Sequence, residues 1–369
     1  MSKAADLANL IGNINAGGGT SGRNVMVNGA MRVAQRGTSF TDVAHAAHTI
    51  DQFRNSKNHD GAVTITQDSS GPDGFANSLK VDVTTADTSI AAGQYQAIFA
   101  RIEAQNLQHF KFGTSDAQNI TLSFYVKSNK TGTYAVVIGQ SDNSFKQATL
   151  TYTIDSADTW ERKSLTFTGD TGGVIDDNAG RGLEILWWLA AGSTYTSGSA
   201  SASFATYADG NHAAGHAVNL LDSTSNEWLF TGVQLEVGQN PTSFEHEPFD
   251  RTMAKCQRYF QTWTQEFAHF STNNYGAVGD AVMHADTYAF IQYTHPVQLR
   301  ATPALTFNGN FAANIKGADR ALSSLQINQA TPYITSLYGT VADNNEAGEV
   351  GYMRASNDGD ASIFFSSDL

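Results

Sequence analysis

Apolar and polar residues alternate with a period of two along most of this chain, the signature of strands with one face on a core. Ile120, Leu122, Phe124 and Val126 share one face, and Thr121, Ser123, Tyr125 and Lys127 the other. Leu183, Ile185, Trp187 and Leu189 form a second such set. The same reading predicts strands at 24–33, 63–67, 78–83, 94–102, 132–139, 146–154, 160–168 and 226–237. Turns such as Lys130-Thr131-Gly132 separate them, rich in the residues that tolerate tight backbone geometry. Many short strands without helical periodicity predict an all-β domain over 23–249, two stacked antiparallel sheets in a jelly-roll sandwich.

The stretch from Asn226 to Trp263 marks a joint. An alternating run places Leu229, Thr231, Val233, Leu235 and Val237 on one face and Phe230, Gly232, Gln234 and Glu236 on the other. A proline-bearing belt follows at 238–248. Then Met253, Cys256, Gln257, Tyr259, Phe260 and Trp263 recur at threes and fours, predicting a linking helix over 250–263 with Asp250 as N-cap. Alternation resumes at 288–293, 304–307, 321–327, 333–338, 348–355 and 361–365, predicting a smaller C-terminal β-sandwich within 264–369. Before the first domain, Ala4, Leu7, Ala8, Leu10 and Ile11 give a short apolar-striped helix, and NINAGGGTSG reads as a flexible linker through residue 22. A helix of about three turns is marginal alone in water, so its stripe, with Leu7, Leu10 and Ile11, is expected to seat on a partner. The segment 193–217 is small and polar and reads as a long surface excursion.

Composition supports this picture and narrows function. Only 15% of residues are charged and the net charge is −13, the opposite of the cationic surface that a nucleic-acid backbone requires. Cys256 is the single cysteine, which excludes an internal disulfide and fits a buried helix-face residue. No apolar run is long enough to span a membrane, and no signal-peptide pattern opens the sequence.

Several separated motifs resemble one family. NVMVNGAMRVAQRGT (24–38) is similar to the opening of a β domain found in bacteriophage tail-fibre proteins, especially those of marine phages. Asp51-Gln52-Phe53-Arg54, RIEAQNLQHFKFGT (101–114), ITLSFYVKSNKTGTY (120–134), FTGVQLEVG (230–238), FEHEPF (244–249) and CQRYF (256–260) fit the same pattern in order. PVQLRATPAL (296–305) extends it more weakly. The resemblance implies a virion protein with a carbohydrate-binding-like jelly roll, assembled as a homotrimer, and brings no catalytic set. In related sugar-binding jelly rolls a final-strand aspartate helps hold calcium; the corresponding Thr231-Gly232-Val233-Gln234 departs from that pattern.

Candidate chemistry is sparse. Glycosidases need two carboxylates at a set separation. The pairs Asp155 with Asp158 and Asp176 with Asp177 lie in turn-like sequence. His45 with His48, and His212 with His216, sit in Ala/Gly-rich sequence and read as unstructured surface histidines. Asn357-Asp358-Gly359-Asp360 reads as a hairpin turn. Trp188 is more informative: alternation turns it outward beside Glu184 and Leu186, so something must cover it, whether a neighbouring subunit, a loop of the same chain or a sugar ring. Tyr125 raises the same question. Asn273, Asn274, Tyr275, Asn344 and Asn345 have the aromatic and amide groups suited to glycan contact. The expectation is a non-enzymatic tail fibre that binds host-surface glycan and docks on another virion protein through its N-terminus, without metal, cofactor, nucleic acid or membrane insertion. The alternatives are a capsid decoration or head-fibre protein, and the carbohydrate-binding module of a secreted hydrolase.

Overall fold

A computed structural model describes residues 3–15, 22–264, 276–342 and 347–369. The chain divides into two compact units, the first comprising residues 1–252 with Leu369 and the second 253–368.

The first unit is a jelly-roll sandwich of two six-stranded sheets. One sheet runs, in spatial order, Ser39–Phe40, Ala62–Asp68, Ser78–Thr85, Glu227–Val237, Ile120–Ser128 and Glu161–Phe167. The other runs Ser201–Ala205, Lys146–Ile154, Gly132–Gln140, Arg181–Ala191, Tyr95–Glu103 and Phe53–Asn58. Inward residues of both sheets merge into one core with aromatic rings at its centre. Trp187 lies 5.2 Å from Phe230 and 6.2 Å from Phe124, and Phe53 meets Phe230 edge-on at 5.3 Å. Tyr134 and Tyr152 stack at 5.5 Å, and Trp228 Nε1 donates to the Tyr152 hydroxyl at 3.3 Å.

The alternation expected along 229–237 breaks in the middle. Trp228 and Phe230 face the core, whereas Leu229 does not; past Gly232 the core residues are Val233, Leu235 and Val237. A bulge between Thr231 and Gln234 inserts the extra residue that switches faces. Gly232 carries it at φ 64°, where a Cβ would stand 2.8 Å from Phe75 Cζ and 2.9 Å from Tyr125 Cδ2. A left-handed backbone with no room for a side chain admits only glycine.

The strand expected at 24–33 is instead a run of turns that plants Met26, Met31 and Val33 in the interior. Side-chain hydrogen bonds hold it. Asn28 Nδ2 donates to the carbonyls of Val33 and Asp51, while its Oδ1 accepts from Arg32 and Val33 amides. The Asp51 carboxylate accepts from the Gln35 amide and side chain at 2.6 and 2.7 Å. The Glu245 carboxylate accepts from three successive amides, Gly22, Arg23 and Asn24, at 2.6, 2.7 and 3.1 Å. Two of the sequence motifs, 24–38 and 244–249, are thereby clasped together.

The linking helix spans Phe249–Gln257, so Asp250 stands in its first turn rather than ahead of it. It ends sooner than the spacing predicted: Phe260–Thr264 is a strand, paired with Ser362–Ser366, which in turn pairs with Ala304–Asn308. Aromatic and β-branched residues such as Phe260, Thr262 and Trp263 favour the pleated surface. The remaining strands of the second unit close into a six-stranded barrel instead of a small sandwich. Its order is Ala277–Ala285, Tyr288–Thr294, Ile334–Val341, Ala318–Ala330, Phe311–Ile315 and Val350–Ala355. Small and flexible side chains fill it, among them Ala281, Met283, Ala289, Ala313 and Met353. On the outer wall Val350, Val282, Phe290 and Tyr338 stand opposite one another across four consecutive strands. Val350 is 69% exposed.

Candidate functional site

The outer face of the Arg181–Ala191 sheet carries the densest arrangement of groups outside the two cores. In register, Trp188 lies opposite Ala97, Leu186 between Phe99 and Val137, and Glu184 between Arg101 and Gly139. The small residues Ala97, Ala135 and Gly139 flatten this face, and the stretches 192–200 and 206–217, on either side of the edge strand Ser201–Ala205, lie across it. Backbone bonds fix that roof at both ends, from Gly192 to Gln94 O at 2.9 Å and from Ala217 to Thr133 O at 2.9 Å. Gly198 to Gly210 O at 2.8 Å and Ala213 to Tyr195 O at 2.8 Å close its two limbs together.

Trp188 is only 1% exposed beneath the roof. Its ring lies 5.6 Å from Tyr95, 5.4 Å from Tyr195 and 5.2 Å from His212. Tyr207 and Phe145 extend the cluster, each within 6 Å of His212. Of the three covers that the sequence allowed for Trp188, the structure supplies the loop of the same chain. The indole Nε1 beneath it finds no hydrogen-bond partner among the described residues.

His212 and His216 correct an expectation: both are buried. His212 Nδ1 donates to Gln147 Oε1 at 2.6 Å, and Gln147 Nε2 donates to Ala208 O at 2.8 Å. His216 Nδ1 accepts the Ala135 amide at 3.2 Å while Nε2 donates to Val218 O at 2.7 Å, an arrangement that requires the neutral ring. Burial lowers the pKa of each to about 4. At the rim, Tyr207 is 39% exposed and its hydroxyl donates to Asp209 at 2.6 Å. Partial burial, and then the Asp209 carboxylate, raise that hydroxyl's pKa. Tyr95 and Tyr195 are half-buried, and their rings meet edge-on at 5.3 Å. Away from the roof the face turns ionic. Glu184 accepts from Arg101 at 2.6 Å and Arg181 at 2.9 Å, and the guanidinium groups of Arg54 and Arg101 lie over Phe99.

Other predicted positions fall elsewhere. Tyr125 is half-buried on the opposite sheet, 5.4 Å from Phe75, whose ring also meets Phe244 and His246. Leu7 and Ile11 are 57% and 50% exposed on the helix Lys3–Asn15, with Leu10 less exposed. Asn273, Asn274, Tyr275, Asn344 and Asn345 lie outside the described residues. Asp155, Asp158, Asp176 and Asp177 are exposed, and Asp155 pairs with Lys163 at 3.0 Å. Among the described residues no group of three or more His, Cys, Asp or Glu could hold a metal, and no helix is long and apolar enough to cross a membrane. Sequence reasoning missed Tyr95, Tyr195 and Tyr207, and singled out His212 only as a surface histidine. The available signal was Tyr195, Tyr207 and two histidines within a segment whose only other large apolar residue is Phe204.

No protein-family model matches the chain, and comparison with curated proteins returns no match. Comparison with solved structures returns carbohydrate-binding modules and a bacteriophage tailspike domain. The enzymatically active domain of tailspike protein 4 of bacteriophage CBA120 has 14% identity and a TM-score of 0.32, covering 58% of this chain and 21% of that one. The family 11 carbohydrate-binding module from Clostridium thermocellum in complex with a β-1,3-1,4-mixed-linked tetrasaccharide has 12% identity and a TM-score of 0.28, covering 57% of this chain and 99% of that one. A second such module, CBM4, has 14% identity and a TM-score of 0.30, covering 57% and 97%. This chain thus spans about a fifth of the tailspike and nearly all of each module.

Proposed function

We propose that this chain is a virion protein of the tail-fibre kind that adheres to host-surface glycan without cleaving it. The observation that carries this reading is the tyrosine rim of the roofed face. Tyr95, Tyr195 and Tyr207 gather at one edge, with Asp209 already fixed beside Tyr207. Flat aromatic faces take the apolar sides of sugar rings, and a positioned carboxylate takes hydroxyls. Buried Trp188 and His212 act from below by fixing the tyrosines rather than by touching the sugar. The ordered sequence motifs support the viral assignment. The helix Lys3–Asn15, with Leu7 and Ile11 exposed, supports attachment to another virion protein through the N-terminus. The apolar row of Val350, Val282, Phe290 and Tyr338 supports a homotrimer, since exposed contiguous apolar surface marks interfaces.

Binding of the full chain to polysaccharide extracted from host cells, followed by titration calorimetry, tests the glycan reading. Tyr195→Ala and Tyr207→Ala should each weaken binding about tenfold, and undiminished binding in the double variant would refute the rim. Polysaccharide cleavage would refute the non-catalytic part. A monomer at micromolar concentration in light scattering would remove the trimer. Particles that still carry the protein after deletion of residues 1–22 would remove the attachment role.

A further inference from the structure

Away from the tyrosine rim, the first unit has an open depression of about 400 Å³ between the turn Ala104–Phe110 with its following loop and the loop around Val174. Its walls are Leu107, Phe112, Val174 and Ile175, and its polar lining is Gln108, Lys111, Thr114 and Asp116. Val174 is 59% exposed, an aliphatic patch with no cover of its own. The walls are fixed. Gln108 Nε2 donates to the carbonyls of Ile175 and Asp176, tying the two loops together. Gly113, at φ 80°, leaves no room for a Cβ against Val174, and its amide donates to Asp170 O at 2.7 Å. Thr114 Oγ1 donates to Lys111 O at 2.7 Å and accepts from the Asp116 amide at 3.2 Å.

Lys111 is set apart by its charge environment. Lys57, Lys80, Lys130, Lys146 and Lys163 each pair with a carboxylate, and Lys127 lies over the Trp160 ring. Among the described residues no ion pair reaches the Lys111 ammonium or the Asp116 carboxylate, although the protein carries a net charge of −13. The backbone of Lys111 is held left-handed, at φ 55°, where it caps the preceding turn. An unneutralised cation and an unneutralised anion on a stitched loop, around an aliphatic wall, are prepared for a ligand with complementary groups.

We infer that this depression binds a hexuronic acid residue of an acidic polysaccharide. The ring carboxylate pairs with Lys111, ring hydroxyls donate to Asp116 and meet Thr114, and the C–H face of the sugar packs on Val174. The volume falls in the range of small-molecule sites, about 300–1,000 Å³. This rests on the glycan-adhesion reading and names the acidic sugar class for a second point of contact on the same unit.

Saturation-transfer NMR on the full chain tests it, with sodium glucuronate and glucose as probes and with Lys111→Gln, Asp116→Asn and Tyr195→Ala/Tyr207→Ala as variants. Glucuronate should bind more tightly than glucose, and added salt should weaken it. Lys111→Gln should reduce glucuronate affinity about tenfold, the cost of a charge-assisted hydrogen bond, and Asp116→Asn by less. Lys111→Gln should lower glucuronate affinity by the same factor in the tyrosine double variant as in the otherwise unchanged chain, because the two sites are separate. Equal binding of the two probes, insensitivity to Lys111→Gln, or no detectable glucuronate binding at millimolar concentration would overturn the inference. If polysaccharide binding persists through Lys111→Gln and fails with the tyrosine variant, the depression is wrong and the adhesion reading stands. If neither the probes nor host polysaccharide bind, both fall.

Discussion

Trp187 and Trp188 are neighbours on one strand, and the two sides of the sheet treat them differently. Trp187 enters the main core, where both sheets contribute large side chains around it. Trp188 enters a small cluster that the two flanks of one edge strand, 192–200 and 206–217, close over together with Phe145. Neither buried indole nitrogen has a hydrogen-bond partner among the described residues, so each site carries the same polar cost. What differs is how many elements share in holding the cover shut. The inner ring is released only by parting the sandwich; the outer one is released by lifting those flanks, a local event of the kind that opens well below the global unfolding free energy.

The largest expected effect comes from testing the inner side. Trp187→Ala should cost about 3–5 kcal/mol and lower the melting temperature of the whole sandwich by calorimetry. Trp188→Ala should leave that transition closer to wild type and raise amide exchange mainly within 192–217. A comparable cost for both in the global transition would erase the distinction between core and cover.

Acid should break the outer side selectively. His212 and His216 are neutral in the fold, with pKa values lowered to about 4 by burial, against about 6.5 when exposed. A depressed histidine pKa means that the unfolded or opened state takes up the proton more readily. Its contribution is therefore complete above about pH 6.5 and is lost as pH falls towards and through 4, on the order of 3 kcal/mol for each ring. Protection factors in 192–217, corrected for the intrinsic slowing of amide exchange in acid, should fall from pH 6.5 to 4 while those of the strand Arg181–Ala191 hold. His295 in the second unit is lowered to about 4 as well, so the readout must be regional. His216→Phe, which fills the space without a titrating group, should flatten part of the pH profile.

Gly139→Ala sharpens the comparison without touching either tryptophan. A Cβ there would fall on the ring of Phe145, which packs over the outer face. Displacing that ring should cost about 1–3 kcal/mol, seen as faster exchange around 192–217. The smallest effect is expected from Tyr207→Phe. Losing the hydrogen bond to Asp209 at a partly exposed position should cost at most about 1 kcal/mol in thermal unfolding, while glycan affinity falls.

The sequence made the inner side legible and left the outer side obscure, for a physical reason. Burial between sheets imposes strict alternation, which is plain in Ile120–Ser128 and in the run from Leu183 to Leu189. The roof obeys no period: it lies close because its residues and those beneath it are small, and alanines and glycines read as loop in any sequence. Where Gly232 admits a bulge, alternation carried across it assigns Phe230 to the wrong face. Barrel closure of the second unit depends on which strands pair at long range, and short alternating runs carry no record of that. The tyrosine rim was hidden because Tyr95 and Tyr195 lie far apart in sequence and meet only across the folded sheet.

The clasp between Glu245 and the amides of Gly22, Arg23 and Asn24 has a mechanical consequence. Any tension applied to the N-terminal helix arrives along the chain at those amides first. It is met there by one carboxylate holding three donors, with the Val25 amide bonded to Leu235 O immediately behind. A tug at the tether is therefore passed to the long strand Glu227–Val237 at the centre of its sheet, and the load is spread before any strand is peeled away.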